Sequence, residues 1–545
     1  MLQLLLSRQP FDAIVVGSGA TGGWAAKQLT QAGMRVAILE AGHKTTATDF
    51  TDYQTKQDGT FSAPSAAIRS DRPIQSSCYA CREPKHRWFV NDFENPYSQI
   101  KPYRWIRMRV LGGRLLAWEG QSYRMSNLDF KAASHDGYGD DWPISYEDLL
   151  PYYEEVERYI GITGKPEYLS HLPDSIFLST TKDNLTASVI RNSVETKFGR
   201  VVTPARLAVM TRSYDSNQPS HCCSPSEDGH LVVSHFSSPW NALADAAKTG
   251  RLTLITEAVA SHILMKEGKA IGVAYVDRAT QASREVRAKL VMLCASALES
   301  TRLLLNSNIC NSSGVLGRYL MDHIWGGGAV GVVETPPTES NFDSFGRHRV
   351  YVPRFRNVKD KQTDGFIRGY GFQGKSILDR GSRNSQNPGP RAAEEARWKI
   401  RLSSFGECLA RKENFVEIDQ KQLDAWGIPT LKIRADWSQN ELRLWRDARV
   451  QAAEMLQAAG LKHVTLTERP SVPGVCVHEM GTARMGNSSK SSVVNKFCQA
   501  HDVPNIFVTD GACWVSSGCQ NPTLTMMAIT VRACDYITSE YRKLV

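Results

Sequence analysis

The chain opens on short apolar runs set between glycine-rich polar turns. Ile14-Val15-Val16 is continuous apolar sequence that ends at Gly17-Ser18-Gly19-Ala20-Thr21-Gly22-Gly23. This pattern predicts a buried strand, a turn and the start of a helix. Behind the turn, Ala25, Leu29 and Ala32 recur at helical spacing and predict one buried stripe, with Gly33 as the C-terminal stop. Val36-Ala-Ile-Leu39 predicts a second buried strand, which ends at Glu40. Strand, glycines, helix, strand and acid in that order predict a βαβ unit built to hold a dinucleotide. Gly17 permits the tight turn, Gly19 lets the main chain approach a pyrophosphate, and Gly22 lets helix and strand pack closely. The helix start turns free N–H groups toward the phosphates, and Glu40 falls where a carboxylate reaches a ribose.

Further along, the patterning changes several times. Residues 43–77 are rich in Thr, Ser, Gln and Asp and predict an irregular excursion. Arg104 to Val110 alternates basic with apolar residues like a strand, then meets Gly112-Gly113. Ser145 is the expected N-cap of a charged surface helix running to Ile160. Strands are predicted at 252–255, 259–264, 270–275 and 290–294, followed by a helix over 297–305. Residues 325–433 are β-rich and suit an antiparallel sheet, interrupted by a Gly/Ser/Asn/Pro-rich loop over 374–390. A helix over 439–460 precedes a C-terminal block containing His478-Glu-Met-Gly481 and Gln520-Asn521-Pro522-Thr523. The expected fold class is α/β: a Rossmann-type lobe interleaved with a β-rich antiparallel lobe.

Composition narrows the function classes. The 545 residues are 41% hydrophobic and 22% charged, ordinary for a globular protein. The net charge of +9 is dispersed along the chain, which argues against a nucleic-acid partner. No apolar run reaches the length of a membrane span, and the start lacks the basic region of a secretion signal. Twelve scattered cysteines do not form a disulfide framework, so a cytoplasmic location is expected. Cys78-Tyr-Ala-Cys81 stands outside a thioredoxin-like context and reads as packing or surface. His221-Cys222-Cys223 and His230 carry metal-type ligands, but structural zinc sites usually space their cysteines; no metal is expected.

The motifs GSGATGG with Glu40, VLGGRLLAWEG, DWPISYEDLLPYYEEVE, LCASALESTRLLL, GRYLMDH, ENFVEID, HEMGTARMG and VTDGACWVSSGCQNPTLTMMA span nearly the whole chain. Together they resemble the glucose-methanol-choline (GMC) flavoprotein oxidoreductases, closest to the branch of pyranose oxidases, glycoside 3-oxidases and bacterial sugar dehydrogenases. The resemblance implies FAD rather than NAD. It implies that Gly17, Gly19 and Gly22 cradle the pyrophosphate, that Glu40 binds the ribose, and that Gly112-Gly113 passes near the flavin. It further implies that Val259 meets the adenine, Asp510-Gly511 the pyrophosphate and ribityl, and Asn521-Pro522-Thr523 the isoalloxazine. His478 and Asn521 are then the catalytic pair, with the imidazole taking the alcohol proton as hydride leaves carbon for flavin N5.

Ala117 stands before Trp118, where pyranose oxidases often carry the histidine that attaches FAD, so non-covalent FAD is expected. The expected organisation is a cofactor lobe from 1–75, 186–320 and 471–545, a mixed segment 76–185, and a substrate lobe 321–470. The implied reaction is oxidation of a secondary alcohol of a pyranose or glycoside, at C3 of a glycoside by preference, with O2 or a carrier as acceptor. Alternatives are a pyranose 2-oxidase, another GMC alcohol dehydrogenase, a flavoprotein without alcohol oxidation, or an NAD-dependent dehydrogenase. Oligomeric state is left open.

Overall fold

The computed structural model describes residues 9–44, 64–83, 85–180, 184–209, 241–334, 349–360, 362–363, 365–379 and 397–544, with the backbone of 223–225 and 231–233. The first lobe grows from β1 (Phe11–Val16), whose residues are almost all buried, as expected of a central parallel strand. Helix α1 (Ala20–Gln31) crosses to β2 (Val36–Leu39), which lies parallel to β1. Ala25 and Leu29 are fully buried, but Ala32 is exposed, because the helix ends before it and Gly33 turns the chain at φ +91°. The charged helix α2 (Tyr146–Ile160) starts from a Ser145–Asp148 capping box. It is less superficial than its charge predicts: Leu149, Tyr153, Val156 and Ile160 are buried, and so is Glu157, held by Arg124 at 2.8 and 2.6 Å.

On the other side of β2 lies β3 (Leu252–Ile255), also parallel. The antiparallel run β4 (Ala258–Lys266), β5 (Lys269–Asp277) and β6 (Ser283–Leu293) follows, and the far half of β6 returns parallel to β1. The short strand Ile506–Val508 closes the sheet beside β6, so seven strands are assembled from both ends and the middle of the chain. Helix α3 (Ala297–Asn306) follows β6. Arg104 to Val110 is not a strand; it is extended chain making single bridges through Met108 and Val110.

The second lobe is a six-stranded antiparallel sheet. Its centre is β7 (Ile324–Val333), with β8 (Arg349–Val352), β9 (Tyr370–Asp379) and β10 (Arg397–Gly406), in the order β7-β10-β9-β8. Residues Gly374 to Asp379 belong to β9 rather than to the predicted loop, and 380–390 lie outside the described residues. Because side chains alternate across a strand, Phe372, Ile400 and Leu402 point one way. They meet Leu444, Trp445 and Met455 of helix α4 (Gln439–Ala458) in an apolar core. The opposite face, with Gln373 and Phe405, looks toward the first lobe. Helix α5 (Thr523–Leu544) ends the fold against α1. No described helix is long and apolar enough to cross a membrane.

Candidate active site

A cleft of about 280 Å³ runs along the C-terminal ends of the parallel strands. Its wall gathers Gly17, Gly19, Glu40, Gly113, Val259, Asp510, Gly511, Pro522 and Thr523, together with His478. Gly22 and Gly112 are not part of that wall. Gly17 makes the turn at φ +95°, and a Cβ on Gly22 would sit 1.9 Å from the Gly17 carbonyl oxygen. Gly19 differs. A Cβ there would meet only the Gly112 carbonyl oxygen, at 3.9 Å, so a slot without side chains opens between Gly19 and Gly112-Gly113. Ser18 joins the two turns, accepting from Gly112 N–H at 2.9 Å and donating to Glu40 Oε2 at 2.5 Å. Glu40 also accepts from Gly42 N–H at 2.7 Å, and burial raises its pKa. Asp510 accepts from Ser300 Oγ at 2.5 Å and Ala512 N–H at 2.9 Å, and burial pushes it up to about 6.

The other centre is polar and has a direction. His323, fully buried at the mouth of β7, reaches the Gly518 carbonyl with Nε2 at 3.0 Å. A carbonyl oxygen only accepts, so Nε2 carries the proton and His323 Nδ1 is a lone pair. That lone pair faces His478 Nδ1 at 2.9 Å, which must therefore donate. His478 Nε2 is left as the acceptor, 3.4 Å from Asn521 Nδ2. Asn521 Oδ1 in turn accepts from Gln373 Nε2 at 2.7 Å. Every bond in the series Gln373–Asn521–His478–His323–Gly518 runs the same way. Burial pulls His323 down to about 4 and holds His478 well below the usual histidine value, with His323 and Arg114 adding to the effect. Asp322 anchors the loop by accepting from Gly474, His323 and His478 N–H groups at 2.8, 2.9 and 3.2 Å.

The GMC oxidoreductase family model matches residues 103–325 in its N-terminal part and 410–530 in its C-terminal part. A 2-methyl-1,2-propanediol dehydrogenase from Mycolicibacterium austroafricanum is 30% identical, over 98% of this chain and 96% of its own length. The chain belongs to the GMC oxidoreductase family. It is an enzyme of the class that acts on alcohol groups, and by family a flavoprotein. A C-glycoside 3-oxidase from Arthrobacter globiformis is 26% identical over 72% of this chain and 69% of its own. The solved pyridoxine 4-oxidase from Mesorbium loti shares the fold at TM-score 0.60 and 18% identity, over 96% and 98% of the two chains.

The GMC cleft has features that fit FAD. The side-chain-free slot suits a pyrophosphate, and Arg109 Nη1, on the cleft wall, is buried without a hydrogen-bond partner among the described residues. The site also contains residues that sequence reasoning missed. Ser18 lies within the glycine motif and was open to detection there. His323 stands in the quoted GRYLMDH segment, but nothing in its spacing pointed to His478, 155 residues away. Gln373 gave no signal. Arg114, which holds Glu479 at 2.6 Å and Ser296 at 2.9 Å, stands in the quoted VLGGRLLAWEG segment, where nothing marked it as a site residue. His323, Cys476 and His478 form the metal-type group found among the described residues, and the 2.9 Å Nδ1–Nδ1 hydrogen bond accounts for the two rings. Cys78 and Cys81 are both buried, in a small apolar cluster with Phe89 and Ile106. The candidate ligands His221, Cys222 and His230 lie outside the described residues, as does the side chain of Cys223.

Proposed function

We propose that this GMC enzyme oxidises a secondary alcohol of a pyranose sugar or glycoside to a ketone, at C3 of a glycoside by preference. The observation that carries the reading is the one-way hydrogen-bond series, which leaves the Nε2 lone pair of His478 beside the N–H of Asn521. An alcohol entering between them donates its proton to Nε2 and accepts from Asn521. His478 is the general base, and Asn521 holds the oxygen in line as it gains charge. His323 positions the base by fixing its tautomer, and Gln373 fixes which end of the Asn521 amide faces the substrate. Gly17, Gly19, Glu40, Gly113, Val259, Asp510-Gly511, Pro522 and Thr523 would hold FAD. Bound FAD supplies a two-electron acceptor for the hydride leaving carbon. The C-glycoside 3-oxidase relative supports the choice of substrate.

The test is anaerobic loss of flavin absorbance on titration with glucose, a set of glycosides and small diols. Bleaching by a glycoside with a keto product at C3 is expected; bleaching by diols alone would replace the sugar with a small alcohol. Because Ala117 offers no attachment point, acid denaturation is expected to release all the flavin into the supernatant. Flavin remaining on the precipitated chain would refute the non-covalent assignment.

Acid pH should act through His478. Its depressed pKa keeps the imidazole neutral through pH 7, so kcat/KM should stay flat and fall only below the ordinary histidine value of about 6.5. His323→Ala removes the partner that fixes the tautomer. We expect kcat to fall about 10- to 100-fold, as for loss of one orienting hydrogen bond, with KM little changed. The acid limb should also move. An unchanged pH profile would make His323 a packing residue only.

A further inference from the structure

Gln373 meets Asn521 from one face of the six-stranded sheet, and two residues along β9 that face becomes strongly basic. Lys375 stands directly opposite Arg349 on β8 and Arg401 on β10. Cross-strand partners point to the same side, so three cations share one row, about 7 Å beyond Gln373 along the strand. Like charges directly opposite one another destabilise a sheet, and a local rule broken beside an active site points to a use for the break.

The neighbouring anions do not balance the row. Glu119, which follows the cleft residue Trp118, is held by both Arg349 nitrogens at 2.7 and 3.0 Å. Lys399, the next cation outward on the same face, is held by Asp379 at 2.5 Å. Lys375 is half-buried and has no ion-pair or hydrogen-bond partner among the described residues, while Arg401 is exposed. Burial lowers the Lys375 pKa, Glu119 opposes the fall, and Arg349 and Arg401 add to it. An anion placed on the row would offset both the cost of burying Lys375 and the mutual repulsion.

We propose that this row receives an anionic group of the substrate, a carboxylate or a phosphate, while His478 and Asn521 hold the alcohol to be oxidised. The inference rests on the sugar-oxidation reading above and adds a charge to its substrate. One pyranose ring with a charged exocyclic substituent spans the step from Gln373 to Lys375.

The test uses flavin-loaded enzyme and matched substrates: glucose against glucuronate, gluconate and glucose 6-phosphate, and methyl glucoside against its uronide. Anaerobic flavin bleaching is followed for wild type and Lys375→Met. The charged members should have the higher kcat/KM. Lys375→Met should lower it for them about 10- to 100-fold, through KM, and leave the neutral members unchanged. A response confined to the acids makes this a carboxylate site; one confined to glucose 6-phosphate makes it a phosphate site. Rising salt should slow the charged substrates of the wild type and spare the neutral ones, which tests the idea without a variant. Equal rates for charged and neutral members, unmoved by Lys375→Met or by salt, would overturn the inference while alcohol oxidation stands. Bleaching by none of them would remove the sugar reading itself, and this one with it.

Discussion

His478→Ala is expected to give a folded, yellow protein that bleaches 10²- to 10⁴-fold more slowly with its alcohol. That range is the usual contribution of a positioned base, about 3 to 5 kcal/mol of barrier. In the proposed arrangement the imidazole is the group in the series whose lone pair would face the alcohol. Asn521 can only donate from Nδ2, because Gln373 occupies its oxygen. The cleft glycines and Glu40 are untouched by the change, so flavin content should stay at the wild-type level. Single-turnover mixing with substrate under anaerobic conditions is the measurement that isolates this step. A variant that bleached at the wild-type rate would show that another group takes the proton.

Two glycine substitutions should fail in different ways, and the contrast is the second large effect. In Gly22→Ala the new Cβ would lie 1.9 Å from the Gly17 carbonyl oxygen. The Cβ is fixed by its own backbone and the oxygen is main chain, so no rotamer relieves the overlap, and helix and strand must separate. A stability loss of about 3 kcal/mol is expected, with little flavin retained. In Gly19→Ala the backbone is already at φ −68°, which alanine accepts, and its Cβ would meet only one oxygen, at 3.9 Å. That variant should melt like the wild type without cofactor, yet bind FAD weakly, because the methyl group occupies the slot. Thermal melting with flavin titration separates the two. Full FAD affinity in Gly19→Ala would mean that the pyrophosphate lies elsewhere.

Local signals were the legible ones. Ile14 to Glu40 could be read almost residue by residue, because strand, turn and helix there follow from neighbours within a few positions. The error at Ala32 came from extending the helical period one residue past its end. The Gly374–Asp379 strand was hidden by its glycine and polar residues, which are tolerated because ladder bonds to β8 and β10 hold them. The charged helix α2 hid a buried face, since Glu157 counts as polar in any pattern until Arg124 is found beside it. The family resemblance supplied the pairing of His478 with Asn521. The tautomer of that histidine could be read only from the contact with His323, 155 residues away, and from the carbonyl behind it.

The sheet that carries the cofactor cleft takes its central strand from the first twenty residues and its last strand from Ile506–Val508. At 5–20 residues per second, roughly half a minute to a minute and a half separates synthesis of Gly17 from that of Asp510. Throughout that time the nascent chain holds a nucleotide turn without its closing partners, and from the synthesis of β6 onward the edge of its far half lacks the Ile506–Val508 strand. The cleft residues are therefore all present together only once Asp510-Gly511 has been synthesised. The unpaired β6 edge is where a holding chaperone would be most useful during synthesis.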